Sequence, residues 1–260
     1  MELSPPPIAS PAAALYAAFD TDPTPIVDFL AWLVTSQLDR VAAPRVLDVG
    51  CGLGRLLPPL AARGWQVLGL EPDVEYAAHA AARLREVVGA EVRVGGFTDI
   101  QARTGDVTPA DLVVGINGSF AYLTTPAARA DALGQCRQAL RAGGLLVLDL
   151  PNLLRILYEY RGPAMDAREL DGRMIRLERR HRLDYDNALF ITDERYEVRE
   201  ASGIMWELRR EHPYAVITWP ELSAALRAAD FSHLRTFTSF VARVPERLGP
   251  GRMLVVAQAS

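Results

Sequence analysis

The stretch RVLDVGCGLGRLLPPL, residues 45–60, constrains the fold of this chain more than any other segment. A short run of apolar and acidic residues leads into three glycines spaced by single residues, Gly50, Gly52 and Gly54, and an apolar pattern then resumes. Such a pattern predicts a buried strand that turns sharply into a helix. The glycines then either form a tight turn without a ligand or let the backbone approach a ligand at the helix N-terminus.

The spacing of the glycines distinguishes between ligand classes. A dinucleotide-binding loop has the pattern G-x-G-x-x-G, which would place the third glycine at position 55, where this chain has Arg55. Asp48, at the end of the strand, is a poor neighbour for a pyrophosphate but a good one for a ligand that carries an ammonium group. A phosphate cradle, and with it an NAD-binding oxidoreductase, is therefore disfavoured.

A second acid follows at the end of the next predicted strand, WQVLGLE, whose last residue is Glu71. An acid at the tip of the strand beside a glycine loop accepts hydrogen bonds from ribose hydroxyls. Together, Asp48 and Glu71 predict a ligand with a ribose and a cationic end that carries no phosphate.

Strands and helices are predicted to alternate over the first 150 or so residues. Residues 13–38 predict two helices, separated by Pro23 and Pro25. The predicted strands that follow are residues 45–50, 65–71, 90–96, 111–117 and 145–152, and the predicted helices are residues 54–64, 72–88 and 125–144, the last closed by Gly143 and Gly144. Strands that are apolar on both faces and alternate with helices indicate a parallel sheet covered on two sides.

The alternation stops after residue 152. Residues 172–218 alternate at period two, with turn signals at Asp186–Asn187 and Ser202–Gly203, and this pattern predicts antiparallel strands. A helix over residues 219–231 and final strands over 237–244 and 252–259 are predicted to follow. The fold class is therefore α/β, with an antiparallel β insertion at roughly residues 160–215.

Composition excludes several kinds of chemistry. All 28 lysine or arginine residues are arginine, so neither a lysine Schiff base nor a P-loop lysine is available. A net charge of −4 gives no general attraction for nucleic acid. Cys51 and Cys136 are too few for a disulfide framework or a thiolate metal site. Because the sequence shows no secretory signal and no membrane span, we expect a cytoplasmic protein. We also expect a monomer or a homodimer, and no metal site.

Four segments, VLDVGCGLG, VLGLEPD, ADLVVGINGSFAYL and LRAGGLLVLDLPN, resemble the class I S-adenosylmethionine-dependent methyltransferases in order and spacing. The resemblance is close over roughly residues 40–152 and looser near the end of the chain. It implies a Rossmann-like, seven-stranded sheet whose last strand is antiparallel, within a single methyltransferase domain. Its expected parts are a helical lid (1–40), the α/β core (41–159 and 216–260) and a β insertion lining the acceptor site (160–215).

The resemblance also implies S-adenosyl-L-methionine as the cofactor and a set of cofactor-binding residues: Asp48, Gly50, Cys51, Gly52, Gly54, Glu71, Pro72, Gly96, Phe97, Asn117 and Gly118. Asp48 and the loop backbone would face the methionine end, Glu71 would take the ribose hydroxyls, and Pro72 with Asp73 would border the adenosine. Residues 117–118 would lie near the sulfonium. Alternatively, these two residues form a turn that only ends a strand.

One segment departs from the family pattern. The family often carries an acid after the third strand that accepts a hydrogen bond from the adenine amine, and here the corresponding residue is Gly96 in VRVGGFTDI. Phe97 would instead pack on the adenine, with its backbone N–H toward the ring. Asp99 is the alternative source of a carboxylate.

The order of core, insertion and final helix resembles small-molecule N- and O-methyltransferases, including those that act on amino sugars. By this resemblance Tyr16, in ALYAAFD, would close over the cofactor, although a core tyrosine on an amphipathic helix is the alternative. His181 and His212 lie in the insertion and are candidates for a general base, with ordinary sheet residues as the alternative.

Some alternatives stay open from the sequence. The arginines within residues 176–182 either form a solvated strand face or bind an anionic substrate. The leading functional hypothesis is methyl transfer to a nitrogen or oxygen of a small molecule. The other hypotheses are an RNA or protein methyltransferase, which the acidic pI and the absence of an NPPY-type tetrapeptide disfavour, and a catalytically silent protein that binds S-adenosylmethionine.

Overall fold

The computed structural model of this protein describes residues 11–38, 41–105, 109–155, 163–170, 172–200, 203–249 and 251–260. Parts of the sequence predictions lie outside the described residues: positions 1–10 and 39–40 of the expected lid, positions 106–108, 156–159 and 250 of the expected core, and positions 160–162, 171, 201 and 202 of the expected insertion, the last being Ser202 of the second predicted turn. Within the described residues, no helix is both long and apolar enough to cross a membrane.

Helices and strands alternate in the first half of the chain, as the sequence predicts. The helices are α1 Pro11–Ala18, α2 Thr24–Gln37, α3 Leu57–Ala61, α4 Val74–Arg83, α5 Ile100–Thr104, α6 Pro126–Ala139 and α7 Trp219–Ala228, with a 3₁₀ helix at Ser119–Tyr122. The strands are β1 Arg45–Val49, β2 Gln66–Glu71, β3 Ala90–Val94, β4 Ala110–Gly115, β5 Leu140–Leu150, β6 Ala164–Leu170, β7 Arg173–Asp184, β8 Leu189–Glu200, β9 Gly203–Ala215, β10 Phe231–Phe237 and β11 Met253–Ala259.

Seven of these strands form one sheet in the order β10-β11-β5-β4-β1-β2-β3. Strands β1 to β5 pair in parallel, and β11 pairs antiparallel with both β5 and β10. Strand β4 is buried at every position, which is possible because helices cover both faces of the sheet. Buried residues of α5, α6 and α7 pack on one face and those of α2 and α3 on the other. The predicted Rossmann-like sheet with an antiparallel last strand is confirmed.

The remaining four strands form a separate antiparallel sheet in the order β6-β7-β8-β9, inserted in the chain between β5 and α7. One face of this sheet carries Leu177, Tyr196 and Val198, which are buried against Leu15 of α1. The first helix of the expected lid thus packs on the insertion. The predicted antiparallel insertion is confirmed, although no alternating pattern predicts its first strand, β6.

Two element predictions near the core are wrong. The strand predicted at residues 237–244 lies earlier, because β10 begins directly after α7 and ends at Phe237. Beyond it Phe240 packs against α2 outside any strand, and Val241 is 74% exposed. The helix predicted to close at Gly143 and Gly144 ends at Ala139, since the next residue already pairs in the sheet with β4.

Candidate active site

The glycine loop after β1 takes a backbone conformation that side chains disfavour. Gly50, Gly52 and Gly54 all have positive φ, at +75°, +57° and +73°. A Cβ on Gly50 would lie 2.5 Å from the Cβ of Ser119, so the loop passes close to the 3₁₀ helix. A Cβ on Gly52 would meet nothing within 4 Å, so this residue borders open space. Gly54 faces Ala80 of α4, where a Cβ would lie 3.0 Å away.

The carboxylate of Glu71 is fixed by backbone groups. Its Oε2 accepts from the Gly52 N–H at 2.8 Å and its Oε1 from the Asp73 N–H at 3.0 Å. Asp73 in turn caps α4 by accepting from the backbone N–H groups of Glu75 and Tyr76. Glu71 therefore ties the glycine loop to the start of α4, and its remaining lone pairs are available to a ligand.

The glycine loop and Glu71 line a cavity of about 450 Å³, which lies between the carboxyl end of the seven-stranded sheet and the insertion. The predicted site residues that line it are Tyr16, Asp48, Gly50, Cys51, Gly52, Glu71, Pro72, Gly96, Phe97, Asn117 and His212. Gly54, Gly118 and His181 do not line it. Gly118 lies behind Asn117 against Pro151, and His181 lies on β7 with its Nδ1 2.9 Å from Thr192 Oγ1.

Asp48 is the most buried acid that lines the cavity, with only 2% of its surface exposed. The pKa of Asp48 is raised to about 7, and burial is the largest cause. The positive charge of Arg55 lowers this pKa and the negative charge of Glu71 raises it. Burial also raises the pKa of Glu71, against the effect of its two backbone hydrogen bonds. In their ionised forms these two adjacent carboxylates attract a cationic ligand group, and the charge of such a group would in turn favour their ionisation.

Arg55 lies beside these acids, and sequence reasoning used it only to exclude a dinucleotide loop. Its Nη1 donates to the backbone carbonyl and hydroxyl of Thr21, and the same atom lies 3.5 Å from Asp20. Its Nη2 is buried, and no hydrogen-bond partner for it is found among the described residues. A buried donor without a partner at a cavity wall is suited to an anionic group of a ligand.

Asn117 is held in position from behind. It adopts φ +56°, which is uncommon for a residue with a side chain, and its N–H donates to Asp149 Oδ2 at 2.9 Å. Asp149 is fully buried and pairs in a bidentate arrangement with Arg252, the residue that precedes β11. The segment that leads into β11 thus stabilises the turn that brings Asn117 to the cavity.

Among residues 95–105, the described residues that directly follow β3, no side-chain carboxylate lines the cavity. Asp99 Oδ1 accepts from the Gly96 N–H at 2.6 Å, its Oδ2 pairs with Arg103, and Asp99 does not line the cavity. Phe97 lines the cavity but is only 5% exposed, and its ring packs edge-to-face on Phe120 at 5.3 Å. Phe97 therefore also belongs to the core.

At the insertion end the cavity is lined by side chains that contact one another. Tyr122 Oη lies 2.8 Å from His212 Nδ1 and 3.0 Å from Tyr214 Oη, and His212 Nε2 lies 3.3 Å from Glu194 Oε2. Burial is the largest cause that raises the pKa values of Tyr122 and Tyr214, so both phenols keep their protons near neutral pH. The imidazole and two hydroxyls form a polar patch that can hold and exchange protons.

Several cavity residues could not be found from the sequence. Arg210 of β9 packs over the ring of Tyr76, with its guanidinium carbon 4.9 Å from the ring centroid, and lies 3.6 Å from Asp73. Tyr76 also contacts Tyr16, whose ring centroid is 5.5 Å away. Arg210 and Tyr76 come from β9 and α4, and no spacing within one segment signals that they meet Tyr16 of α1.

Arg180 and Arg182 of β7 point to a solvated face, whereas Arg179 on the other face pairs with Glu194. Arg180 is 70% exposed and pairs with Glu178, while Arg182 is 52% exposed and pairs with Glu211. None of the arginines of 176–182 lines the 450 Å³ cavity. The alternative of a binding site for an anionic substrate on this strand gains no support from their positions.

Comparison with known proteins agrees with this arrangement. Residues 47–146 match a family model described as a methyltransferase domain. A search of curated protein sequences finds no significant match. The similar solved structures include the sugar N-methyltransferase KedS8 from Streptoalloteichus sp. (TM-score 0.75, 21% identity, 99% of this chain and 96% of that chain) and DesVI from Streptomyces venezuelae (TM-score 0.77, 21% identity, 96% of this chain and 97% of that chain).

A third similar structure is CalS10, an amino pentose methyltransferase from Micromonospora echinaspora determined with S-adenosylmethionine bound (TM-score 0.71, 22% identity, 96% of this chain and 97% of that chain). At these identities the likeness concerns the fold. The residues of this chain fit the same cofactor. Gly52 borders open space, and Glu71 has lone pairs that can accept hydrogen bonds from a ligand. The Nη2 donor of Arg55 suits the carboxylate of the amino-acid end of the cofactor, and the carboxyl of Asp48 suits its ammonium group.

Proposed function

We propose that this chain is an S-adenosylmethionine-dependent methyltransferase that methylates a nitrogen or oxygen atom of a small molecule, since residues 47–146 match a methyltransferase domain. When bound, the cofactor supplies a methyl group on a positively charged sulfur. The protein then has to bind the acceptor in line with that methyl group, exclude water and remove a proton where the acceptor carries one.

The observation that carries this proposal is the cavity itself. One wall is the glycine loop with Asp48 and Glu71, and the opposite wall is the polar patch of Tyr122, His212 and Tyr214. A volume of about 450 Å³ lies within the range of sites for small ligands. The names of similar structures, a sugar N-methyltransferase and an amino pentose methyltransferase, favour nitrogen as the methylated atom.

Within this proposal, each part of the chain has a role. Residues 1–40 act as a lid that brings Tyr16 to the cavity, residues 41–159 and 216–260 hold the cofactor, and residues 160–215 wall the acceptor site. Asp48, Arg55 and the loop backbone would hold the amino-acid end of the cofactor and Glu71 its ribose. His212 would accept the proton of the acceptor. A cytoplasmic location stays a prediction.

The test is a methyl-transfer assay with tritiated S-adenosylmethionine. The acceptor panel contains amino sugars, small alkylamines, phenols, a transfer RNA pool and a mixture of unfolded proteins. Label in a small-molecule product supports the proposal, whereas label only in RNA or protein supports the corresponding alternative. Binding of S-adenosylhomocysteine without any transfer would support a silent binding protein.

Two glycine variants supply a matched control for this assay. Gly52 and Gly172 both have positive φ, at +57° and +73°, and a Cβ on either meets nothing within 4 Å. The backbone strain of an alanine, about 1–2 kcal/mol, is therefore similar at both positions. Gly52→Ala is expected to weaken S-adenosylhomocysteine binding about tenfold, because the methyl group projects into the cavity. Gly172→Ala, in a turn before β7, should leave the affinity unchanged.

A further inference from the structure

A row of four side chains crosses the insertion end of the cavity: Tyr214, Tyr122, His212 and Glu194. Successive polar atoms are 3.0, 2.8 and 3.3 Å apart. Tyr122 comes from the 3₁₀ helix of the core, Glu194 from β8, and the other two from β9. The row therefore connects the 3₁₀ helix of the core with two strands of the inserted sheet.

Glu194 lies at the closed end of this row as a carboxylate. Burial alone raises its pKa, but hydrogen bonds from His212, Tyr196 and Arg179 lower the pKa to about 2. Tyr196 Oη donates to Oε2 at 2.7 Å and Arg179 Nε to Oε1 at 2.9 Å. A carboxylate can only accept hydrogen bonds, so the nearby Nε2 of His212 must carry the proton between them.

This proton sets the direction of the whole row. A neutral imidazole has one N–H, so a proton on Nε2 leaves Nδ1 as an acceptor. The hydroxyl of Tyr122 must then donate to Nδ1, and the lone pairs of its oxygen face Tyr214 and the cavity. A methyl acceptor that carries a proton could therefore donate it to Tyr122 Oη, whose own proton already points to His212 Nδ1.

On the premise of the proposed methyl transfer, we propose that Glu194 is a positioning residue that holds His212 in its Nε2–H tautomer, and that Tyr122 relays the proton of the acceptor to Nδ1. A proton leaves the acceptor nitrogen for Tyr122 Oη while the proton of Tyr122 moves to His212 Nδ1. The acceptor nitrogen keeps the electron pair of its N–H bond as the attacking lone pair. His212 becomes an imidazolium, which the charge of Glu194 stabilises.

The relay selects a class of acceptor. Proton transfer to an imidazole is efficient from a protonated amine and poor from an aliphatic alcohol, which holds its proton far more strongly. Tyr16, Tyr122 and Tyr214 all line the cavity, and aromatic rings favour a cation near their faces. The acceptor is therefore a small amine that enters as its ammonium form.

The tautomer can be observed without knowing the acceptor, by long-range ¹H–¹⁵N correlation of the histidine side chains in the full-length protein between pH 5 and 9. The chain has only 4 histidines, and the His212 signals are those that disappear in His212→Asn. We expect the Nε2–H tautomer in the wild-type protein. The titratable groups around His212 are Arg179 of β7, Glu194 and Tyr196 of β8, Arg210 and Tyr214 of β9, Tyr122 of the 3₁₀ helix and Tyr16 of α1.

Two variants test whether Glu194 sets the tautomer. Glu194→Ala removes the carboxylate that accepts from Nε2–H, so the single Nε2–H tautomer should give way to a mixture with the Nδ1–H form. Asp193→Ala removes the neighbouring carboxylate on the opposite face of β8, which pairs with Arg182, and should leave the Nε2–H tautomer unchanged. An Nδ1–H tautomer in the wild-type protein, or the same tautomer in wild type and Glu194→Ala, would overturn the proposal.

Turnover with the amine found in the acceptor panel adds a kinetic readout. Tyr122→Phe should lower kcat about tenfold or more with little change in S-adenosylhomocysteine affinity, and Glu194→Ala should lower kcat while Asp193→Ala does not. Unchanged kcat in Tyr122→Phe would overturn the relay. A panel without any acceptor would count against the proposed function alone, since the tautomer measurement does not depend on it.

Discussion

At the core end of the cavity the main chain shapes the site, whereas at the insertion end side chains from different strands contact one another. Gly50 and Gly52 adopt positive φ, and Glu71 is fixed by two backbone N–H groups. Opposite them, His212 is fixed by Tyr122 and Glu194, which other elements contribute. The first arrangement depends on a short local sequence, and the second depends on the packing of two sheets.

Under the proposed function, this difference would separate two tasks, binding of the cofactor and binding of the acceptor. A loop defined by glycines and backbone hydrogen bonds tolerates few substitutions and suits a cofactor that never varies. A wall made of side chains can change its chemistry without changing the fold, which suits the acceptor. Substitutions at the core end should therefore affect folding and cofactor binding together, and those at the insertion end should affect turnover alone.

The largest effect is expected from Asp48, as a dependence of stability on pH. Its pKa is raised to about 7 in the folded protein, so the folded state holds a proton that the unfolded chain releases near pH 4. Stability from this group is thus full below about pH 4 and declines as the pH rises to about 7, by about 4 kcal/mol in total. Urea unfolding between pH 4 and 8 should show this decline in the wild-type protein and its loss in Asp48→Asn.

Equal pH dependence in the two proteins would place the pKa of Asp48 in its ordinary range. The same titration should affect the ligand, because a carboxylate attracts the ammonium group of S-adenosylhomocysteine and a protonated carboxyl does not. Binding should therefore tighten between pH 6 and 8 in the wild-type protein, and calorimetry on Asp48→Asn should show a flatter profile.

The second-largest effect on stability is expected from Gly50→Ala. An alanine at φ +75° is strained, and its Cβ would lie 2.5 Å from the Cβ of Ser119. Strain and overpacking together should cost about 2–4 kcal/mol in the free energy of unfolding, measured in urea. Ser119→Gly in the same chain removes the clash and should recover about half of the loss. No recovery would show that strain alone accounts for the effect.

Glu71→Ala should weaken S-adenosylhomocysteine binding by about 1.5–3 kcal/mol, the range for hydrogen bonds to a charged group. It also leaves the Gly52 and Asp73 N–H groups without their acceptor, so a smaller loss of stability is expected alongside. Calorimetry and urea unfolding measure the two effects, with Glu71→Gln as the variant that keeps one oxygen acceptor. Unchanged affinity would place Glu71 outside the binding site.

The parts of the fold with a strong local signal could be predicted. Strands β1, β2, β4 and β5 are apolar because they are buried on both faces, and the glycine loop is visible as a pattern. Strand β6 was missed because most of its residues are exposed and it is held by backbone pairing with β7. The strand predicted at residues 237–244 was wrong since Phe240 gains its packing against Phe29 from an irregular segment.

The candidate site divides in the same way. Asp48, Gly52 and Glu71 were placed near a ligand from one segment of sequence, and the structure brings them to one cavity. Glu194 and Tyr122 carried no signal, because their roles arise only when β8, β9 and the 3₁₀ helix meet. Whether a polar residue of an antiparallel strand faces a cavity or solvent depends on register, which depends on packing that one sequence does not reveal.

The smallest effect is expected where the insertion sheet faces solvent. Arg182 pairs with Glu211 at 2.5 Å and Asp193 at 3.6 Å, and all three side chains are about half exposed. Such pairs contribute little, because water screens them and ordering long side chains costs entropy. Arg182→Ala should change the free energy of unfolding by less than about 0.5 kcal/mol and leave kcat unchanged. Arg179→Ala, on the opposite face of the same strand, removes a hydrogen bond to Glu194 and should lower kcat. If urea unfolding and turnover responded equally to both substitutions, the insertion would act as a structural unit and not as a side-chain wall around the acceptor.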